Sequence, residues 1–270
     1  MKDLKSLHSY IESLELATLD SAIIPEGAAR RTKAAPKDNK ESANVSANSV
    51  VSFTKDLPEQ LRADVLNSTL FAQLAATAKH DPETDPKGWY QLYNEVLNNI
   101  GWNFPSWDFS KVQTSSQGFE ISKEVIKLIK KVDVSAAGMM SAVLDSLSAD
   151  GNEDAANLFD SVSNPKQDAN FQIGPCAYSG SNVVMTSACM FFKATEHVHR
   201  FLWFTWKDQS TELWGSARKA ELVDDVYARV RDQIIQKLGD RAEKYVMDID
   251  LGDFGSKLAK HTDKLEEMTA

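Results

Sequence analysis

Asn182-Val-Val-Met185-Thr-Ser-Ala-Cys189-Met-Phe-Phe-Lys193 is the stretch on which the fold turns. In an extended chain successive side chains point to opposite faces. Met185, Cys189 and Phe191 therefore face one way, and Val184, Met190 and Phe192 the other. A sheet with one wet face alternates apolar with polar; a strand apolar on both faces is central and covered on both sides. Three further strand-like runs surround it: Asn170 to Ser179, Val198 to Lys207, and Glu212 to Leu222. The run Val198–Lys207 repeats the pattern, with Phe201 and Trp203 opposed to Leu202, Phe204 and Trp206. The expected fold is α/β (α+β): three layers, helix–sheet–helix, around a mainly antiparallel central sheet.

The first two runs are joined by Gly180-Ser181, which suits a two-residue turn with glycine first. Such a turn pairs Ser179 with Asn182 and hence Gln172 with Cys189. Cys176 then lies roughly 13 Å along its strand from Cys189's partner, whereas a disulfide needs Cα atoms within about 7 Å. The chain's two cysteines should be free thiols, as in a reducing compartment.

Outward from the strands the periodicity becomes helical. Asp56 with Glu59 three residues on reads as a helix start, followed by Leu61, Val65, Leu66, Phe71 and Leu74. Asp85-Pro86 opens a second helix carrying Trp89, Leu92, Tyr93, Val96, Leu97 and Ile100, with Gly101 as its stop. Trp107 and Phe109, alternating with polar neighbours, and Phe119 with Ile121 beyond Ser115–Gly118 read as a hairpin. Residues 122–164 divide into three helical segments, with breaks near Asp133 and at Asp150-Gly151-Asn152. A last strong helix runs from Asp224 to Leu238, and a short one spans Ala242 to Met247.

These elements form a single globular domain, residues 50–251. Residues 1–49 hold a short amphipathic helix (Leu4, Leu7, Ile11, Leu14) and then a polar stretch read as a disordered linker. Residues 252–270 are a tail with weak helical spacing at Phe254, Leu258 and Leu265. The basic cluster Arg30, Arg31, Lys33, Lys37 and Lys40 reads most simply as part of a solvated linker.

In composition the chain is ordinary for a globular protein: 270 residues, 42% hydrophobic and 26% charged. Its net charge of −9 argues against nucleic-acid partners, since phosphate neutralisation needs a basic surface. No stretch approaches the ~18 apolar residues of a transmembrane segment. The start, Met1 to Tyr10, lacks an apolar leader. The expected location is cytoplasmic, or outside the cell by a route without a signal peptide.

Motif chemistry is sparse. Gly-x-x-x-x-Gly-Lys-Ser/Thr, Gly-x-Gly-x-x-Gly, Gly-x-Ser-x-Gly and His-Glu-x-x-His are all absent. His197 and His199 would share a face of a strand, but no third metal ligand is evident, and a polar strand entrance is the plainer reading. No catalytic residue, metal or cofactor is assigned. One feature stands out: Ser187, Ala188 and Cys189 are small residues at mid-strand, with Ile173 and Gly174 as cross-strand neighbours. The volume they leave must be filled, ordinarily by bulky helix residues such as Met139 and Met140, otherwise by a buried lipid.

Asp64-Val-Leu-Asn-Ser-Thr-Leu-Phe-Ala-Gln-Leu74, Trp89-Tyr-Gln-Leu-Tyr93, Val96-Leu97, Gly101-Trp102, Phe171-Gln-Ile-Gly174 and Phe201-Leu-Trp-Phe204 together resemble a scattered family of uncharacterised bacterial and fungal proteins. The likeness covers about Val50 to Val246. In length, layered layout and a central cysteine in an apolar strand, the chain is also similar to the Erwinia virulence factor (Evf) type, which carries a fatty acid on a buried cysteine. Its layout further resembles the cytolytic delta-endotoxins. The Evf resemblance implies a covalent fatty acid on Cys189 or Cys176, beside Ala188, Ser187 and Gly174, with a fatty acid or membrane lipid as partner. The leading expectation is thus a non-catalytic, effector-like or toxin-like protein, membrane-active and acylated. The alternatives are a thiol-dependent acyl transferase or hydrolase pairing a cysteine with His197 or His199, and an interaction module engaging a protein through its leading helix.

Overall fold

A computed structural model describes residues 4–19, 39–208 and 210–267 of the chain. Helix α1 (Leu4–Ser13) comes first, and strands β1 (Ser42–Ser46) and β2 (Ser49–Phe53) form a hairpin. Next are α2 (Glu59–Lys79) and α3 (Pro86–Asn99), then the short strands β3 (Trp102–Asn103), β4 (Ser110–Lys111) and β5 (Phe119–Glu120). Helices α4 (Ile121–Val132), α5 (Val134–Ser148) and α6 (Glu153–Ser163) follow. The long strands are β6 (Ala169–Ser179), β7 (Asn182–Lys193) and, after the short β8 (Thr205–Trp206), β9 (Glu212–Leu222). The chain closes with α7 (Asp224–Tyr227), α8 (Arg231–Leu238), α9 (Arg241–Tyr245), β10 (Val246–Asp248) and α10 (Phe254–Glu267).

The main sheet has the order β10-β1-β2-β6-β7-β9-β3, with β4 also paired to β9. Among the described residues only the β2–β6 pair is parallel. A parallel pair needs a crossover, and here the segment between β2 and β6 lays α2 and α3 on one face and α4, α5 and α6 on the other. Alternate residues of β6 and β7 consequently enter two separate cores. Cys176, Val183, Met185 and Cys189 pack with α2, α3 and α8. Ile173, Ala188, Met190 and Phe192 pack with α4, α5 and α6. This is the expected three-layer α/β arrangement around a mostly antiparallel sheet. Helix α2 is buried almost all round from Leu61 to Ala76 because it lies between the sheet, α3 and α8.

The β6–β7 register is the one the turn requires. Ser179 pairs with Asn182 and Gln172 with Cys189, with Gly180 at φ 67°, a conformation costly for any residue with a Cβ. Asp85 caps α3, its Oδ1 accepting from the Gly88 N–H at 3.0 Å. The breaks at Asp133 and at Gly151 fall where the sequence puts them.

Several expectations need correction. The sheet begins at Ser42, inside the stretch read as linker, because the short alternation of β1 is legible only once β2 and β10 flank it. Residues 20–38, the rest of that stretch, lie outside the described residues. The run Val198–Lys207 is no strand of the main sheet. Arg200 adopts φ 59° and Trp203 N–H donates to Arg200 O at 3.0 Å, closing a turn. Phe201 instead plugs the second core, stacked on Phe159 and Phe192. Only β8 is extended, and it pairs with β5 in a separate ribbon. Trp107, Phe109, Phe119 and Ile121 accordingly form no hairpin: Ser110 and Lys111 pair with β9, and Phe119 with Trp206. Asp56 does not cap α2, which starts behind Pro58 without a side-chain cap. The 224–238 helix is split into α7 and α8, and Val246 and Met247 belong to β10.

Candidate functional site

Of the five residues singled out in the central strands, Gly174, Cys176, Ser187 and Cys189 share the face toward α2 and α3, while Ala188 lies on the other. Both cysteines are free and buried. Cys176 Sγ lies 3.6 Å from Gly174 O, and Cys189 Sγ 3.9 Å from Ser187 Oγ. Desolvation by burial pushes both thiols far above their ordinary range. The bare backbone of Gly174 is covered by Met185, whose Sδ would stand 2.5 Å from a Cβ there. Met139 and Met140, expected as filling beside Cys189, pack in the opposite core. Tyr90 and Tyr93 share the core of Cys189 instead. Burial raises the pKa of both phenols.

The histidines stand elsewhere. His197 Nε2 lies 3.1 Å from Asn164 O, and His199 Nδ1 3.3 Å from Asp160 Oδ2. Asp160 lies on α6 and Asn164 is its C-cap, and α6 packs on the face opposite Cys176 and Cys189. Desolvation raises the pKa of Asp160, against its backbone hydrogen bonds and the two histidines. Among the described residues no cluster of three or more potential ligands could hold a metal ion.

Among the described residues, two concavities border the strands of the main sheet. A groove of about 350 Å³ runs between the start of α5, α10 and the edges of β6 and β7, lined by Val134, Met139, Pro175, Cys176, Val184, Phe254 and Leu258 among others. Thr54 also lines it; its N–H donates to Cys176 O at 3.1 Å, and its buried Oγ1 has no hydrogen-bond partner.

The second, about 540 Å³, is an aromatic cleft that the sequence reading missed. Helix α3 supplies Lys87, Tyr90, Gln91 and Asn94, spaced to share one helix face. The segment Ser106–Phe109 supplies Trp107 and Phe109, and cross-strand partners Phe191 and Trp214 form the floor, their rings 6.0 Å apart and 5° from parallel. The Tyr90 hydroxyl reaches the carbonyls of Phe171 (2.9 Å) and Met190 (2.8 Å), fixing its ring against the sheet. Phe109 packs on Tyr90 at 4.8 Å and on Phe191 at 5.4 Å. Two buried polar atoms of the lining have no partner: Asn94 Oδ1, an acceptor, and Trp107 Nε1, a donor. The alternation of Trp107 and Phe109 with polar residues was the available signal. What joins them to Phe191 and Trp214 is the pairing of β4 with β9, which local sequence does not encode.

No family model and no curated protein matches this chain. Among the described residues no helix is long and apolar enough to cross a membrane.

Proposed function

We propose that this chain is a non-catalytic binding protein whose ligand site is the aromatic cleft between α3, the Trp107–Phe109 segment and the β7–β9 pair. The observation that carries the reading is the unpartnered donor and acceptor, Trp107 Nε1 and Asn94 Oδ1, in a cleft walled by aromatic rings. Buried polar groups are nearly always hydrogen-bonded, and an apolar pocket with a few placed polar groups is the usual form of a small-molecule site. Thiol catalysis has little support, because both thiols are held protonated and His197 and His199 are engaged across the sheet. Two free thiols agree with a reducing compartment. The test is a protein-observed NMR screen of a diverse fragment library, read at the tryptophan indole resonances. Hits should perturb the Trp107 and Trp214 indoles and be lost in Trp214→Ala; hits that bind that variant equally well would sink the assignment.

A further inference from the structure

We propose that the aromatic cleft accepts a neutral saccharide, an inference that rests on the cleft being the binding site. Phe191 and Trp214, stacked on each other across neighbouring strands, join Trp107 and Phe109 in lining the cleft with aromatic rings. A pyranose ring has the complementary shape: one face of C–H bonds that packs on an aromatic plane, and hydroxyls projecting from its edge. Each hydroxyl donates and accepts. Hydroxyls on that edge can accept from Trp107 Nε1 and donate to Asn94 Oδ1, the two lining atoms left unpartnered.

Competing ligand classes fit less well. An acyl chain would pack on the rings but leave both polar atoms desolvated and unpaired, which costs affinity. A nucleotide would stack, yet its phosphates would meet Asp108 as well as Lys87 at the cleft, on a chain of net charge −9. Lys87 and Asp108 offset each other, which favours an uncharged ligand.

The experiment is calorimetric titration of the full chain with short gluco-, manno-, xylo- and chito-oligosaccharides, and with adenosine and decanoate alongside. At least one saccharide series should bind saturably below about 10 mM. Trp214→Ala should weaken it at least about tenfold through the lost stacking surface, as should Asn94→Leu, which keeps the volume and removes the acceptor. Trp107→Phe keeps an aromatic ring and removes the N–H, so it should weaken binding by a smaller factor. Circular dichroism of each variant establishes that it is folded. Adenosine or decanoate binding that depends on Trp214, with no saccharide binding, would overturn the ligand class while leaving the cleft reading in place. Saccharide binding unchanged in folded Trp214→Ala and Asn94→Leu would overturn the site.

Discussion

Gly174 and Met185 form one packing unit, since any Cβ at residue 174 would stand 2.5 Å from Met185 Sδ and 3.1 Å from its Cγ. Gly174→Ala should cost about 1–3 kcal/mol through overpacking. Adding Met185→Ala should recover part of that loss, so the pair should be non-additive in urea melts; strict additivity would show that Met185 is not the obstruction. Asp64 is a second residue with a large expected effect. Its fully buried carboxylate is bound by Arg231 at 2.8 and 2.7 Å, tying α2 to α8, with Asp224 on the same guanidinium. Removing one partner of such a pair strands the other, so Arg231→Met should lose about 3–5 kcal/mol by chemical denaturation. The sequence placed Gly174, Ser187, Ala188 and the cysteines at the centre of the sheet, because alternation and turn register are local properties. It could not show what lies over them. That depends on which helix covers which face, and the filling is Met185, Tyr90 and Tyr93 rather than Met139 and Met140.

Among the elements, those with strong periods were legible and the short ones were not. Helices α3 through α6 and strands β6, β7 and β9 follow their patterns with boundaries close to the expected ones. Strand β10 has three residues and β4 two, too few for any period, and each exists because a longer strand offers it an open edge. The run Val198–Phe204 misleads for a different reason: aromatic density marks burial, and a plugged turn buries rings as well as a strand does. Helix α1 shows the same dependence on context. Its Leu7 and Ile11 face the core, it packs against α8, and the Gln233 side chain donates to His8 O at 3.1 Å and to Glu12 Oε1 at 3.0 Å. The leading helix is therefore docked on its own domain. Ile11→Ala should cost about 2–5 kcal/mol, and protease cleavage between α1 and β1 should accelerate in that variant. An unchanged cleavage rate and melting point would mean that α1 contributes nothing to the fold.

At the scale of the whole molecule, two cores share one sheet, and their buried acids set how the fold responds to pH. Desolvation raises Cys176, Cys189, Tyr90, Tyr93 and Tyr227 above their ordinary 9.0 and 10.0. All five lie in the core that packs with α2, α3 and α8. A group raised by folding contributes its stability in full below the unfolded pKa and loses it as pH rises toward the folded value. Between those limits the unfolded chain has released the proton and the folded chain has not, so each group removes about 1.4 kcal/mol per pH unit. The two thiols act first, from about pH 9, at roughly 2.7 kcal/mol per unit together, and the three phenols join above about pH 10. The fold should therefore lose stability progressively above about pH 9 and more steeply above about pH 10. Thiolate ultraviolet absorbance and far-ultraviolet circular dichroism, followed together from pH 8 to pH 12, test this. Both cysteines are buried, so thiolate should appear only as the helices and strands melt, in one transition with the same midpoint. Thiolate absorbance rising more than about one pH unit before the circular dichroism changes would mean that the core containing Cys176 and Cys189 admits hydroxide while still folded, and that desolvation does not hold these thiols neutral.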